Sequence, residues 1–399
     1  MYNIAHMTQY NFDILPNRRN SDSLKWHLYD PDVLPMWVAD MDFRSPEPVI
    51  QALRERAEHG IFGYPLGLQG NPKELPELCQ AVIDRLDKLY HWAVKTDEIV
   101  LSPGVVIGFN LACHALANAQ EGVLVQTPVY LPILTAAKNT GILRQEMELT
   151  HLPGGDYSID WEAFEASITD QTRLFILCNP HNPVGRVFQK EELERMAEIC
   201  LRHGVTIVSD EIHCDLIYAG YRHIPIASLD PEIAKNTITL MAPSKTFNIA
   251  GLDFSLAIIQ NPELRKRYLE ASKGLISGMN LMGIVAARAA YLHGQEWLDQ
   301  LVKYLQANRD YLYQYVKQEL PGIEMGLPEG TYLAWLDCRN AGISDNPFKF
   351  FLEKGRVAFN DGATFGSGGE GFIRLNFGCP HSMLTQTLER MKLALLLQH

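Results

Sequence analysis

The sequence has few cysteines, no cluster of basic residues and no long apolar run, and each shortage excludes a class of protein. Its seven cysteines are scattered along 399 residues without a Cys-x-x-Cys pair. Their odd number, and the apolar neighbours of Cys178 and Cys200, indicate buried thiols in a reducing compartment. No stretch reaches the roughly 18 apolar residues that span a bilayer, and residues 1–20 lack the apolar core of a signal peptide. We therefore expect a cytoplasmic protein without a membrane segment.

Positive charge is also scarce. The formal net charge is −12, from 35 basic and 47 acidic residues. Nucleic acids and anionic membranes are bound through basic surfaces, so neither is an expected partner. The hydrophobic fraction of 47% and the charged fraction of 21% are those of an ordinary globular protein. This length predicts two or three domains.

From residue 99 onward, short apolar segments alternate with segments of helical periodicity. The predicted strands of this region are 99–101, 123–126, 174–178, 206–209, 237–241 and 254–259. The predicted helices between them are 109–119, 131–139, 191–203 and 262–272. Short apolar strands separated by helices are typical of a largely parallel sheet that is covered on both faces. Ligands of such sheets bind at the carboxyl ends of the strands.

The last third of the chain has a different pattern. A helical region over 282–320 is followed by predicted strands at 331–338, 357–360 and 372–377 and by a terminal helix at 383–397. This pattern predicts a second domain.

One lysine stands directly after the predicted strand 237–241. Pro243, Ser244 and Lys245 follow that strand among apolar residues, and Gly251 comes six residues after the lysine. Burial disfavours the ammonium form, so a lysine in this position can become a nucleophile and a base near neutral pH. An ordinary surface lysine at a strand end is the alternative.

A glycine-containing turn follows the predicted strand 99–101. Its residues are Ser102 to Gly108, and the predicted helix 109–119 comes next. A strand, a glycine turn and a helix offer backbone N–H groups to a phosphate. Because many strand-to-helix turns contain glycine, an ordinary connection remains open.

Four polar motifs lie at predicted strand ends, and together they are far more specific than any one of them. They are Asn-Pro-His-Asn-Pro-Val-Gly at 179–185, Asp-Glu-Ile-His at 210–213, Ser244-Lys245, and Phe-Ile-Arg-Leu-Asn at 372–376. The set resembles the fold-type I pyridoxal-phosphate enzymes of the class I/II aminotransferase superfamily. Pro-Met-Trp-Val-Ala-Asp-Met-Asp-Phe at 35–43, Asp-Glu-Ile-His and the lysine motif resemble the MalY/PatB group of cystathionine β-lyases, which are carbon–sulfur lyases.

The resemblance extends from about residue 17 to the C-terminus and implies an α/β fold. A large domain would contain a mostly parallel sheet of the seven-stranded type covered by helices, beside a smaller α+β domain. We predict an N-terminal arm with part of the small domain over 1–45. The large domain, which binds pyridoxal 5′-phosphate, would span 46–290, and the small C-terminal domain would span 291–399.

The resemblance implies roles for Lys245 and Asp210. Lys245 would hold the cofactor aldehyde covalently and later act as the base at the substrate α-carbon. Asp210 would pair with the pyridine nitrogen and keep it protonated, so that the ring accepts electrons. Taken alone, Asp210 is equally consistent with a helix N-cap.

Three further side chains are implied to contact the cofactor ring. Asn182, which would also bind substrate, donates to the ring hydroxyl, and His213 lies near the same oxygen. Tyr130 stacks on the ring. A structural hydrogen bond of His213 and core packing of Tyr130 are the alternatives.

The phosphate site is implied to consist mainly of backbone groups. N–H groups of Gly104, Val105 and Val106 would hold the phosphate, and the hydroxyl of Ser244 adds a donor. Many relatives have an arginine eight residues after the lysine, whereas this chain has Asp253 there. The phosphate charge must therefore be balanced by other groups.

The remaining implied residues contact substrate or cross between subunits. Tyr64 is predicted to be a catalytic residue together with Lys245. It would reach the phosphate of a neighbouring subunit in a homodimer. Packing of Tyr64 on its own chain is the alternative. Strand alternation puts Arg374 on the face of its strand that is opposite to the buried apolar face. The resemblance implies that it binds the substrate α-carboxylate there. Exposure to solvent is the alternative. Ala39 and Asp40 would line the same pocket. No metal is implied.

The expected reaction is α,β-elimination from L-cystathionine, L-cysteine or another cysteine S-conjugate, with pyruvate, ammonia and a thiol as products. Aminotransfer between an L-amino acid and a 2-oxo acid uses the same residues up to removal of the α-proton. A regulatory protein that binds a transcription factor, with incidental lyase activity, is a third interpretation. Selenocysteine or β-chloroalanine substrates also remain open.

Overall fold

The computed structural model describes residues 9–397, in which strands and helices alternate. The strands are β1 (Leu34–Pro35), β2 (Ile99–Ser102), β3 (Gly122–Thr127), β4 (Leu143–Glu148), β5 (Thr150–His151), β6 (Tyr157–Ser158), β7 (Thr172–Cys178), β8 (Thr206–Asp210), β9 (Thr237–Met241), β10 (Ser255–Ile258), β11 (Leu333–Asp337), β12 (Val357–Ala358), β13 (Asn360–Asp361) and β14 (Phe372–Asn376). The helices are α1 (Leu24–His27), α2 (Glu47–Glu58), α3 (Pro76–Tyr90), α4 (Val105–Leu116), α5 (Leu131–Thr140), α6 (Trp161–Ala166), α7 (Lys190–Arg202), α8 (Pro231–Lys235), α9 (Pro243–Thr246), α10 (Pro262–Ser272), α11 (Leu281–His293), α12 (Gln295–Glu319), α13 (Pro347–Phe350) and α14 (His381–Leu396). The start of the predicted arm (residues 1–8) and the last two residues of the predicted C-terminal domain lie outside the described range.

A large sheet organises the middle of the chain. Within residues 9–397 it has seven strands in the order β2-β10-β9-β8-β7-β3-β4. Neighbouring strands from β9 to β4 are parallel, and β10 runs antiparallel to both β9 and β2. Every residue of β9 is buried, as expected for a strand covered on both faces. The predicted mostly parallel sheet is confirmed.

The structure corrects the predicted start of one helix. The sequence predicts a turn up to Gly108, but α4 already begins at Val105, with Gly104 as its N-cap residue. Gly108 lies inside the helix because the helix packs closely on the sheet there. A Cβ atom at this position would lie 2.9 Å from the side chain of Leu240. The helix therefore begins at Val105, the fourth residue of the predicted glycine turn.

Two further differences concern helices and edge strands. The predicted helical region 282–320 is divided into α11 and α12 at Gly294, where a Cβ would lie 2.6 Å from the Ala290 carbonyl oxygen. Strand β4 was not predicted, because its half-exposed edge position leaves few apolar residues in Leu143–Glu148. None of the helices within residues 9–397 combines the length and apolar character that crossing a membrane requires.

The arm and the last third of the chain pair with each other. Strands β11, β14 and β13 form an antiparallel sheet, and β1 of the arm pairs in parallel with β12. The predicted strand 357–360 is therefore two short strands that pair with different partners. The domain boundaries at residues 45 and 290 stay predictions.

A buried group of charges fixes the arm. The Asp42 carboxylate is fully buried and accepts from Lys25 Nζ at 2.7 Å, Arg18 Nη1 at 2.7 Å and Trp26 Nε1 at 2.8 Å. Asp40 also binds Arg18, with Oδ2 2.7 Å from Nη2. Removing one member of such a group leaves an uncompensated charge in the interior. The arm is therefore held by charges as well as by apolar packing.

We expect Asp42→Ala to lower the free energy of unfolding by about 3–5 kcal/mol, because the buried Lys25 would lose the carboxylate 2.7 Å away and keep only the more distant Asp40, at 3.6 Å. Asp32→Ala is the matched control, since that carboxylate pairs with Arg356 at the exposed surface. Urea denaturation of both variants measures the effect. Equal loss of stability in the two variants would contradict this account of the arm.

Candidate active site

A cavity of about 260 Å³ lies at the carboxyl ends of the central parallel strands. It lies between the end of β8, the N-terminus of α4, the helix α9 and the arm. The predicted site residues that line it are Ala39, Gly104, Val105, Val106, Tyr130, Asn182, Asp210, His213, Ser244 and Lys245. Residues from six separate stretches of sequence are thus brought to one cavity, as expected at this edge of an open α/β sheet.

Lys245 lies in the short helix α9, directly after the buried strand β9. Its Nζ donates to the carbonyl oxygen of Ala39 at 2.8 Å. Burial lowers the pKa of Lys245 to about 8, and the Arg374 charge acts in the same direction, whereas Asp40 and Asp210 oppose it. A substantial fraction of the amine is therefore neutral near physiological pH, which a nucleophile or a base requires.

Asp210 ends strand β8 with its carboxylate buried. Within residues 9–397 this carboxylate accepts one hydrogen bond, from the backbone N–H of Ile212 at 3.1 Å. Burial raises its pKa to about 7, and the Glu211 charge contributes in the same direction. Residues 212–215 form a turn rather than an α-helix, so Asp210 is not the cap of a helix. A buried carboxylate with so few donors fits a ligand that brings a protonated nitrogen.

Arg374 is buried on β14, with 3% of its surface exposed, so it does not lie in solvent. Its Nη1 donates to Asn182 Oδ1 at 2.9 Å, and its Nη2 donates to Asn360 Oδ1 at 2.6 Å and to the Trp37 carbonyl oxygen at 3.0 Å. A guanidinium group only donates, so the amide oxygen of Asn182 must face it. The amide nitrogen of Asn182 is then left for a ligand in the cavity.

The charge of Arg374 lacks a carboxylate partner in the part of the chain that the structure describes. Its Nε is buried and forms no hydrogen bond there, and burial lowers its pKa to about 10. A buried cation surrounded by neutral acceptors is costly unless an anion binds it. The planar donor fork of arginine fits a carboxylate.

His213 and Tyr130 form parts of the wall. His213 is buried, and its Nδ1 has no partner among the described residues. Burial lowers the pKa of His213 to about 3, and the Lys245 and Arg374 charges add to this effect, so the ring is neutral. Tyr130 is half-buried, and its backbone N–H donates to the Asn182 carbonyl oxygen at 3.1 Å. Both side chains are in position to contact a bound ring.

The N-terminus of α4 forms one end of the cavity. The first N–H groups of a helix have no acceptor within the helix, and those of Val105 and Val106 lie in the cavity wall with Ser244. A Cβ atom on Gly104 would meet no atom within 4 Å, so the space beside this backbone is open. A helix N-terminus of this kind stabilises a phosphate through N–H donors and the helix dipole.

Asp253 lies at the same end of the cavity with its side chain exposed and a left-handed backbone (φ 49°). Among the described residues that line this cavity, the charged side chains are Asp210, Asp253 and Lys245. A phosphate here would therefore depend on neutral donors rather than on a cation from its own chain.

The residues that meet at this cavity fit pyridoxal phosphate, the cofactor that the sequence resemblance implies. Asp210 offers a carboxylate for a protonated ring nitrogen, and Lys245 offers an amine for the aldehyde. Asn182 offers an amide donor for the ring hydroxyl, and α4 offers N–H groups for the phosphate. The roles of these residues remain predictions, but each group lies on the same cavity.

Three predicted residues do not line this cavity, and one of them, Arg374, is joined to its wall through the hydrogen bond to Asn182. Tyr64 is 91% exposed in the turn after α2, so it is not packed on its own chain. Asp40 faces the charged group of the arm instead, where it pairs with Arg18, although its charge still acts on Lys245.

Three residues of the site escaped prediction because their contacts are made across the fold. The hydroxyl of Tyr332, a fully buried side chain, donates to the Ala39 carbonyl oxygen at 2.8 Å. Asn376 Nδ2 donates to the Asp40 carbonyl oxygen at 2.7 Å. Asn248, with φ 56°, bonds the backbone of Met41 in both directions, at 2.9 and 2.8 Å. Asn376 and Asn248 each lie in a stretch that the sequence analysis singles out, at 372–376 and between Lys245 and Gly251, whereas Tyr332 carries no such signal.

Comparison with known proteins agrees with this geometry. The family model for aminotransferase class I and II matches residues 31–391. Cystathionine beta-lyase PatB of Bacillus subtilis is 41% identical over 398 residues, which cover 96% of this chain and 100% of that protein. The crystal structure of cystalysin from Treponema denticola, which contains pyridoxal 5′-phosphate, matches with a TM-score of 0.92 and 35% identity over 98% of this chain and 100% of that one. The structure of the pyridoxal-phosphate-bound C–S lyase from Staphylococcus hominis matches with a TM-score of 0.90 and 35% identity over 97% of this chain and 99% of that one. The chain therefore belongs to the family of class I and II aminotransferases, as the sequence motifs predict.

Proposed function

We propose that this protein is a pyridoxal-phosphate-dependent carbon–sulfur β-lyase. It breaks the bond between the β-carbon and the sulfur of L-cystathionine or another L-cysteine S-conjugate and releases a thiol, and one water molecule then hydrolyses the remaining aminoacrylate to pyruvate and ammonia. The observation that carries the proposal is the desolvated amine of Lys245 in the cavity, close to the buried guanidinium of Arg374, which binds Asn182 of the cavity wall and has no carboxylate partner within residues 9–397. The similarity to a cystathionine beta-lyase and to a C–S lyase supports the choice of leaving group.

Bound pyridoxal phosphate supplies an aldehyde that bonds to amines and a ring that accepts electrons. Arg374 binds the α-carboxylate of the amino acid and so fixes the direction of the α-carbon. Lys245 takes the α-proton and holds it at Nζ while the sulfur leaves with the electrons of its bond to the β-carbon. Asp210 holds a proton at the ring nitrogen, which makes electron withdrawal by the ring favourable.

The proposal is tested by incubating the purified protein with L-cystathionine, L-cysteine and several S-alkyl cysteines and measuring both pyruvate and free thiol. We expect equal amounts of the two products from at least one substrate. Lys245→Ala is the control. If no substrate gives pyruvate above that control, the proposal is wrong. Transfer of the amino group to an added 2-oxo acid without thiol release would instead identify an aminotransferase.

A finer part of the proposal is that a second copy of the chain completes the site with Tyr64. Its 91% exposure leaves the ring free to contact another molecule. The same turn exposes Ile61, Phe62 and Leu66, each by more than 60%. Apolar side chains grouped in this way are typical of an interface. Among the described residues that line the cavity, Lys245 is the one cation, so the proposed phosphate would gain from a donor of a second copy.

A complementation experiment tests the shared site. Tyr64→Ala and Lys245→Ala should each have low lyase activity when pure. Mixed dimers formed after unfolding and refolding the two variants together contain one site with both native residues, because Lys245 and Tyr64 then come from different chains. We expect these mixtures to regain up to about a quarter of wild-type activity, from random pairing of two chain types. Mixtures no more active than the separate variants would exclude sharing of Tyr64.

A further inference from the structure

Tyr332 and Lys245 converge on one backbone oxygen. Lys245 Nζ and the Tyr332 hydroxyl each donate to the carbonyl oxygen of Ala39, and both distances are 2.8 Å. A carbonyl oxygen has two lone pairs, so two donors occupy its accepting directions. Tyr332 is fully buried, and its ring contacts His213 edge-on at 5.9 Å between centroids. The hydroxyl therefore fixes the direction in which Ala39 can accept from the lysine.

The backbone on either side of Ala39 is held as well. The Trp37 carbonyl accepts from Arg374 Nη2 at 3.0 Å. The carbonyls of Val38 and Asp40 both accept from Asn376 Nδ2, at 2.5 and 2.7 Å. Four consecutive carbonyl groups of the arm, at 37–40, are thus bound by side chains from the site and from β14. This segment is a fixed support, so the Ala39 oxygen can position an amine.

We propose that Tyr332 is a positioning residue for the Lys245 amine and acts through the Ala39 carbonyl oxygen that both side chains share. The role of that amine as a base rests on the proposed function, whereas the shared contact does not. After α-proton removal the amine carries an additional N–H, and the Ala39 oxygen is placed to accept it. Burial keeps the pKa of Tyr332 well above its ordinary value, so its hydroxyl remains a donor over the working pH range.

Several charged groups near Lys245 affect the pKa of its amine, and the Tyr332 hydroxyl affects this pKa in addition to them. Arg374 from β14 disfavours the ammonium, while Asp40 from the arm and Asp210 from β8 favour it. Buried His213 stays neutral. Without the Tyr332 hydroxyl, the Ala39 oxygen would accept from Lys245 alone and would stabilise the ammonium more strongly. The pKa of Lys245 should then rise.

The test uses the full-length protein after removal of the cofactor. Brief acetic anhydride pulses over a pH series, followed by mass spectrometry of the peptide that contains Lys245, measure the pH at which the amine becomes reactive. We expect a midpoint near pH 8 in the wild type. In Tyr332→Phe we expect a midpoint higher by about half to one pH unit, which is roughly 3- to 10-fold less neutral amine at pH 7. Tyr332→Leu, which also lacks the hydroxyl, should shift in the same direction.

Tyr218→Phe is the matched control, because the buried Tyr218 hydroxyl also donates to a backbone carbonyl, that of Thr331, without touching Ala39. Its midpoint should equal that of the wild type. An unchanged or lower midpoint in both Tyr332 variants, or an equal shift in Tyr218→Phe, overturns the proposal. Labelling of the cofactor-free protein does not depend on catalysis, so failure of the lyase assay would leave this result interpretable.

Discussion

Replacement of Lys245 by alanine is expected to lower kcat/KM for pyruvate formation by about 10³-fold or more. A positioned general base alone contributes about 10² to 10⁴-fold, and Lys245 is also proposed to supply the amine that bonds to the cofactor. Both proposed roles require a neutral, positioned amine, and that of Lys245 is desolvated and held 2.8 Å from the Ala39 oxygen. Steady-state kinetics with the best substrate of the wild type measures the loss.

Lys235→Ala is the matched control for that experiment. Lys235 lies just before the start of β9, whereas Lys245 lies just after its end. The side chain of Lys235 is exposed and pairs with Glu232 on α8. Its removal should leave kcat/KM unchanged. Absorbance spectra with added pyridoxal phosphate, before and after borohydride, add a second readout. A reduced label on the wild-type peptide that contains Lys245, absent from Lys245→Ala, is the expected result. Wild-type rates in Lys245→Ala would exclude any role of this amine in the reaction.

Replacement of Arg374 by alanine should have the second-largest effect. Removing one partner of a buried, hydrogen-bonded charge pair costs about 2–5 kcal/mol. This corresponds to a fall in kcat/KM of about 30- to 5,000-fold. Most of the loss should come from a higher KM, because Arg374 is proposed to bind the carboxylate that every amino-acid substrate carries. Titration of initial rates over a wide substrate range separates the two parameters.

Two variants make the Arg374 result specific. Arg374→Lys keeps the charge but loses the planar donor fork, so it should recover only part of the lost activity. Arg339→Ala removes another arginine that stacks on a phenylalanine ring, but Arg339 already pairs with Asp337 at 2.6 Å. That variant should keep the wild-type KM. If Arg339→Ala and Arg374→Ala raised KM equally, the assignment of the carboxylate to Arg374 would be wrong.

Local patterns were sufficient for the large sheet. Strand β9 and helix α10 have the predicted bounds. The first is an apolar run, and the second starts at Pro262 directly after the N-cap residue Asn261, so both carry strong local signals. The edge strand β4 and the split of 357–360 into β12 and β13 carry no such signal. Their pairing partners are distant in sequence, and pairing rather than composition makes them strands.

The residues of the site also divide into those with a local sequence signal and those placed by contacts between distant segments. Lys245, Asp210 and Asn182 follow strands, and the carboxyl ends of parallel strands meet at one edge, so their proximity could be predicted. Tyr332 could not be, because its hydroxyl contacts a carbonyl 293 positions away in sequence. Among the residues that the structure describes, no carboxylate pairs with Arg374; this too is a property of three-dimensional packing, and it is the clearest indication of an anionic ligand.

The sequence by itself determined the family, the mostly parallel sheet and the position of Lys245 after a buried strand, because each depends on short-range pattern and on motifs at strand ends. Only the tertiary structure decided how strongly the ammonium form of that lysine is disfavoured. Desolvation and the opposing charges of Arg374, Asp40 and Asp210 set its pKa, and all of these come from segments far apart in the chain. The fixed carbonyl of Ala39, which both Lys245 and Tyr332 contact, also exists only when the arm lies on the two sheets.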